Sequence, residues 1–328
     1  MNNNEIMVSV VMPTYGHEKY IEQAINSVLM QKVNFNYEVL IGEDCSPDKT
    51  RDILRVMEPN LPDYFHIFYR EKNMGMGSTG NAADLLKRAI GKYVITLECD
   101  DYWIVNDKLQ RQVDFLETHL DYLAVAHNTK VVDVNGIEII DYKYPECKTT
   151  EYTLNDFLKG TLSGQLTTIM VRREYYNLPV LKAIPGYPGD RLKNFKMAAF
   201  GKVYCIQEKM SAYRYVVSSG YSYSATIEKQ YKESKYDVWK EKSLKMYKNM
   251  IEYSVNHIKT KESILVSEKL YFSMLWWAIV EHSVEGVSFK TAKKDFKDCK
   301  HKFSVLAYVL KKNLMSTVKI YLLKFLKK

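Results

Sequence analysis

Cysteine is scarce in this 328-residue chain: Cys45, Cys99, Cys147, Cys205 and Cys299 make an odd set with no CxxC pair. Such a set encodes neither a disulfide framework nor a structural zinc site, and a reducing cytoplasm is its natural compartment. Long apolar runs are missing too. The longest, at residues 274–280 and 304–310, fall far short of the ~20 residues that span a bilayer. The opening MNNNEIMVSVVMPTYG lacks the basic-then-apolar order of a signal peptide, so the chain is not expected to cross a membrane by itself. With 8 Pro and 14 Gly against 46% apolar and 26% charged residues, it is neither collagen-like nor disordered. There is no internal repeat, no P-loop, and no GxGxxG after the first apolar run. The last absence argues against a dinucleotide site.

The net charge of +8 is unevenly placed. Residues 289–328 hold twelve Lys against Asp295 and Asp298, which leaves the other 288 residues close to neutral. A basic tail on a neutral body points to an anionic partner for the tail, a membrane surface or a nucleic acid.

Along the chain, residues 6–12 form a β-branched run stopped by Pro13, after which Ile21, Ala24, Ile25, Val28 and Leu29 recur at helical spacing. A buried strand at 38–42 precedes Ser46, expected as an N-cap, Pro47 at the first helical position, and the stripe Ile53, Leu54 and Met57. A third strand at 65–69 leads through Gly75, Gly77 and Gly80 to a helix over 81–90, closed by Gly91 as a left-handed cap. A fourth, at 93–97, runs into Glu98-Cys99-Asp100-Asp101. Strands alternating with helices at this spacing predict a parallel, doubly wound α/β sheet with right-handed crossovers. After residue 120 shorter strands are expected at 122–127, 168–171, 202–206 and 210–215, and from about residue 225 the pattern is helical. The predicted division is an α/β unit over 1–220 and a helical region over 221–328.

Ligands of an open parallel sheet bind beyond the carboxyl ends of its strands. The polar residues at those ends are Pro13-Thr14-Tyr15, Glu43-Asp44 and Glu98-Cys99-Asp100-Asp101. Three carboxylates within four residues raise one another's pKa unless a cation intervenes. Mg²⁺ or Mn²⁺ takes oxygen ligands, commonly one or two carboxylates plus substrate phosphates, so this segment could hold a metal-diphosphate. The plainer alternative is a solvated acidic turn before a helix starting near Asp107.

The segments VSVVMPTYGHEKYIEQAINSVLMQ, YEVLIGEDCSPDKT, REKNMGMGSTGN, YVITLECDDYW and GDRLKNFKMAAFGKVYCIQEKMSAYR occur in this order, and together they resemble the family 2 glycosyltransferases of the GT-A fold. The resemblance covers residues 6 to about 220. It is closest to the bacterial enzymes that build surface polysaccharide, and it implies a nucleotide-sugar half over about 1–120 and an acceptor half over about 121–220. By it, Thr14 and Tyr15 line the nucleoside pocket, Asp44 bonds the donor base or ribose, Glu43 orients the loop, and Arg70 and Asn73 lie near the sugar nucleotide. The DXD position falls on Glu98-Cys99-Asp100, so Asp100 is the foremost metal ligand, with Glu98 and Asp101 beside it. Trp103 follows as a pocket aromatic or simply a core anchor. Asp190 matches the catalytic base and would also cap a helix over 191–200 ended by Gly201. Arg214, in SerAlaTyrArg, could approach the phosphates. A histidine common two residues later is Val216 here, which removes any role given to it. His17, His66, His119 and His127 show no ligand spacing and read as ordinary residues. Gly164-Gln165-Leu166-Thr167-Thr168 are expected on the acceptor side.

The implied activity is inverting transfer from a nucleotide-diphosphate sugar, a UDP-sugar first, to a glycan or lipid-linked acceptor, with Mg²⁺ or Mn²⁺ as cofactor. A non-catalytic nucleotide-sugar or glycan binder and a metal-dependent nucleotidyltransferase are the alternatives. In the tail, Leu306, Val309, Leu310, Leu314, Val318, Tyr321, Leu322 and Phe325 recur at spacings of three and four among lysines. That load suits an amphipathic helix on an anionic membrane better than a nucleic-acid arm, and places the protein at the cytoplasmic face. Packing of the stripe on the protein's own helices near residues 272–280, or across a homodimer, is the competing reading.

Overall fold

The computed structural model describes residues 5–75, 80–141, 144–184, 189–215, 236–281 and 283–313. β1 (Ile6–Thr14) pairs in parallel with β2 (Asn36–Glu43) on one side and β4 (Tyr93–Thr96) on the other, and β3 (Phe65–Tyr69) adds to β2. The buried sequences of β1, β2 and β4 suit strands covered on both faces, while β3 is a half-buried edge. Beyond β4 the sheet becomes mixed. β8 (Met170–Arg172) runs antiparallel to both β4 and β6 (Tyr122–Val132), and β9 (Lys202–Arg214) runs parallel to β6. The short strands β5 (Tyr102–Trp103) and β7 (Glu151–Tyr152) pair with β9, giving the order β3-β2-β1-β4-β8-β6-β9-β5. The two strands expected over 202–215 are thus one long strand. It stays paired through local register shifts against β6.

Alternation along β1 sorts its side chains between two cores. Val8, Val10 and Met12 meet Ile21, Ala24, Ile25 and Val28 of α1 (Ile21–Leu29) and Leu109, Val113 and Leu116 of α4 (Lys108–Thr118). Val11 faces the opposite core, with Leu85 of α3 (Asn81–Arg88), Phe157 of α5 (Leu154–Lys159) and Phe195 of α6 (Gly189–Phe200). That second core continues into the helices Tyr236–Tyr253 and Lys261–Val280. The latter is long and apolar enough to cross a membrane, yet 67% of its apolar window is buried within the protein.

Two local expectations are corrected. α2 starts at Thr50 (Thr50–Met57), and Ser46 instead accepts from the Gly16 N–H, tying the loop after β2 to the loop after β1 (3.1 Å). Gly91 is no left-handed cap, because α3 ends earlier with Ala89 beyond it. Its need for glycine is close approach: a Cβ there would meet the Ser9 backbone nitrogen at 2.5 Å.

Candidate active site

The parallel register gathers the strand ends. Thr14 pairs with Glu43 and Glu43 with Tyr69, the Asp44 N–H donates to the Thr14 carbonyl (3.0 Å), and the Leu97 N–H donates to the Val11 carbonyl (2.9 Å). Glu43 is fully buried and accepts from the Ser46 N–H (2.6 Å) and from Arg51 Nε, so it shapes the loop as expected. Asp44 closes a second loop, its two oxygens accepting from the N–H groups of Met74 (2.7 Å) and Gly75 (3.2 Å). Gly75 sits at φ +66°, where glycine is favoured. Asn73 is exposed on that loop. Arg70 is turned to α3, donating to Asn81 Oδ1 (3.1 Å) and Asp84 Oδ2 (2.7 Å). Thr14 is buried with its hydroxyl 3.0 Å from His17 Nδ1, and Tyr15 follows, half-buried.

The three acidic residues after β4 have separate surroundings. Asp101 is buried and enclosed: its carboxylate accepts from Gln165 Nε2 (2.9 Å), Thr167 Oγ1 (3.0 Å) and the Arg214 N–H (2.8 Å). Those donors make it an anchor for the segment instead of an open metal ligand. Burial, then Asp100 and Glu98, push its carboxyl well up, and the hydrogen bonds oppose them. Glu98 and Asp100 differ. Neither carboxylate has a hydrogen-bond or ion-pair partner among the described residues. Burial pushes Glu98 up to about 8, repulsion from Asp100 and Asp190 adds to it, and Lys193 opposes.

Asp190 stands inside the first turn of α6, which begins one residue earlier, so it is not the N-cap expected. One oxygen accepts from the Arg191 N–H (2.8 Å) and the other from the Tyr144 hydroxyl (2.8 Å). One turn on, Lys193 is buried with no hydrogen bond among the described residues, and burial brings its ammonium down to about 8 against the pull of Glu98.

Two carboxylates without a protein partner among the described residues, Glu98 and Asp100, and a third that is held by three donors, Asp101, now follow one strand end. Residues 9–177, about half of the chain, match the model of Glycosyl transferase family 2. The chain belongs to that family. It is 36% identical over 175 residues to TuaG of Bacillus subtilis, a protein assigned to teichuronic acid biosynthesis, which covers 53% of this chain and 65% of that one. It is 31% identical over 170 residues to the UDP-Glc:alpha-D-GlcNAc-diphosphoundecaprenol beta-1,3-glucosyltransferase WfgD of Escherichia coli, covering 52% and 62%. It thus spans less than two thirds of either relative. Staphylococcus aureus TarS in complex with UDP-GlcNAc superposes with a TM-score of 0.59 at 21% identity, over 82% of this chain and 72% of that one. That likeness shows the GT-A fold.

Within this family 2 framework several side chains take places that sequence reasoning missed or misassigned. Arg214 is buried, and its guanidinium donates to the carbonyls of Asp100 (2.8 Å), Asp133 (3.2 Å) and Val134 (3.1 Å) and to Gln23 Oε1 (2.6 Å). It fastens the acidic segment to the turn after β6 and to α1. Gln165, Thr167 and Thr168 are buried, the first two hydrogen-bonded to Asp101. Trp103 is a core anchor, its indole N–H on the Thr167 carbonyl (3.2 Å) and Lys108 Nζ 4.1 Å from its ring centroid. His17, read as an ordinary residue, lies beside the site. Burial lowers its pKa, and the nearby charges of Asp100 and Asp48 oppose that shift. Its signal was position alone, three residues past the end of β1. Tyr144 and Lys193 had none.

No group of three or more His, Cys, Asp or Glu is arranged to enclose a metal among the described residues. The donor set still fits a divalent ion that shares its sphere with a diphosphate, since Glu98 and Asp100 offer hard oxygen atoms that no other described residue engages.

Proposed function

We propose that this protein is an inverting, metal-dependent glycosyltransferase that moves a sugar from a nucleotide-diphosphate sugar to a hydroxyl of a glycan or lipid-linked acceptor in surface polysaccharide synthesis. The observation that carries the reading is the separation of roles among the carboxylates: Glu98 and Asp100 unpartnered among the described residues, Asp190 held by two donors and close enough to raise the Glu98 pKa. A UDP-sugar is the first candidate donor, supported by TarS, whose complexes hold UDP-GlcNAc and UDP. Asp190 takes the proton of the acceptor hydroxyl as that oxygen attacks the anomeric carbon, opposite the departing diphosphate. A single displacement needs no second carboxylate as nucleophile. Mg²⁺ or Mn²⁺ held by Asp100 and Glu98 would supply Lewis-acid stabilisation of charge on the leaving group. A panel of UDP-, GDP- and dTDP-sugars, assayed for hydrolysis and transfer with Mn²⁺ and with chelator, tests this. Turnover of one nucleotide class, only with the ion, is expected. Binding with no turnover supports the non-catalytic reading, and pyrophosphate release supports a nucleotidyltransferase.

The same reading places the protein at the cytoplasmic face of an anionic membrane, and its C-terminal surface supports this. Residues 302–313 form a helix with two apolar faces. Val305 and Val309 are buried inward, whereas Phe303, Leu306 and Leu310 are 91%, 48% and 41% exposed beside Lys302, Lys311 and Lys312. The inward pair fits packing on the protein's own helices, and the exposed trio beside lysines is what supports the membrane reading. Leu314, Val318, Tyr321, Leu322 and Phe325 lie outside the described residues. Burying an apolar side chain is worth about 1.5–3 kcal/mol, and each lysine near an anionic leaflet about 1 kcal/mol. The triple variant Phe303→Ser, Leu306→Ser, Leu310→Ser should therefore lose at least about tenfold in affinity for phosphatidylglycerol vesicles in flotation, and the parent should detach as salt rises. A parent that ignores the vesicles at low salt but self-associates by light scattering assigns this face to a homodimer.

A further inference from the structure

The contact between Tyr144 and Asp190 joins residues 46 positions apart. Asp190 lies at the start of a helix, where one backbone N–H fixes one of its oxygens and leaves rotation about the side chain to be settled by something else. The Tyr144 hydroxyl settles it, donating to the second oxygen at 2.8 Å. Tyr144 is itself braced. Its ring meets that of Tyr213 on β9 edge-on, with centroids 5.8 Å apart. Its carbonyl accepts from the Glu146 N–H (2.8 Å), and Pro145 beside it accepts from the Leu162 N–H (2.6 Å). Glu146 in turn accepts from the Thr129 N–H on β6 (3.1 Å). The hydroxyl is thus mounted on the sheet, and it is far from spending its proton, because burial and then Asp190 push its pKa well above the ordinary phenol value.

We infer that Tyr144 is the positioning residue of the transfer reaction: its hydroxyl holds the Asp190 carboxylate in the rotamer from which a free lone pair meets the acceptor hydroxyl. This rests on the reading of Asp190 as the base. The tyrosine touches neither donor nor acceptor in this role; it acts through the carboxylate. A base must lie within hydrogen-bond reach of the proton it takes, so an unsteered carboxylate lowers the rate of transfer without loosening the donor.

Tyr144→Phe removes one hydroxyl and keeps the ring against Tyr213. Losing a hydrogen bond to a charged group corresponds to a factor of roughly 10 to 10². The expected result is a fall of that size in kcat for transfer, with the donor KM and calorimetric UDP binding within about twofold of the parent and the melting temperature lowered by no more than a few degrees. The double variant Tyr144→Phe, Asp190→Asn should be no slower than Asp190→Asn alone, since a tyrosine that works through the carboxylate has nothing to add once the base is gone. Parent-like kcat in Tyr144→Phe while Asp190→Asn is inactive overturns the inference and leaves the base standing. Multiplying losses in the double variant overturn it too, by giving Tyr144 an independent role. Full transfer by Asp190→Asn removes the base itself, a separate failure seen in the first assay.

Discussion

Asp190→Asn is expected to lower transfer by about 10² to 10⁴, the span of general-base catalysis, while nucleotide binding stays close to the parent. The amide keeps an acceptor oxygen for either the Arg191 N–H or the Tyr144 hydroxyl, so the start of α6 has little reason to move. It loses the ability to take a proton, and with it the step in which the acceptor oxygen becomes nucleophilic. Calorimetry with UDP beside a transfer assay separates the two roles. Equal losses in binding and in transfer would make Asp190 a structural residue, and the mechanism would need another base.

Asp100→Asn is the second large effect, an expected loss of Mn²⁺-stimulated donor binding and turnover on the order of 10²-fold or more, because several kcal/mol of leaving-group stabilisation depend on the ion being held. The reason to choose Asp100 over its neighbour is in the hydrogen bonds. Asp101 is enclosed by Gln165, Thr167 and the Arg214 N–H, so Asp101→Asn turns an amide N–H₂ toward donors and should lower the melting temperature while Mn²⁺ still stimulates whatever folds. Asp100→Asn should melt like the parent, its carboxylate having no protein partner among the described residues. Titrating UDP binding with and without Mn²⁺ in both variants checks the contrast. Mn²⁺ stimulation retained by Asp100→Asn would move the metal site elsewhere.

His17 and the acidic edge illustrate the gap between pattern and place. The spacing of apolar residues located the strands and helices around β1 to β4, and with them the strand ends, because a side-chain period of two or of 3.6 is a local property of the chain. What a histidine three residues past a strand end will touch is decided by how closely β1 and β4 sit side by side, and the sheet register set that distance.

By itself, then, the sequence determined the alternation that builds the parallel half of the sheet, the edge at which polar residues collect, the presence there of Asp44, Glu98, Asp100 and Asp101, and the carboxylate at 190. Only the tertiary structure decided how these carboxylates divide their work. Arg214 reaches back across 114 residues to the Asp100 carbonyl, Gln165 and Thr167 enclose Asp101 from below, and Tyr144 meets Asp190. Each such pairing joins residues distant in the chain, and it exists because burial forces a polar group to find a partner wherever packing brings one within about 3 Å. Spacing along the chain carries no record of that search, so four acidic residues that look equivalent in sequence become two carboxylates with no protein partner among the described residues, one anchor and one loop fastener.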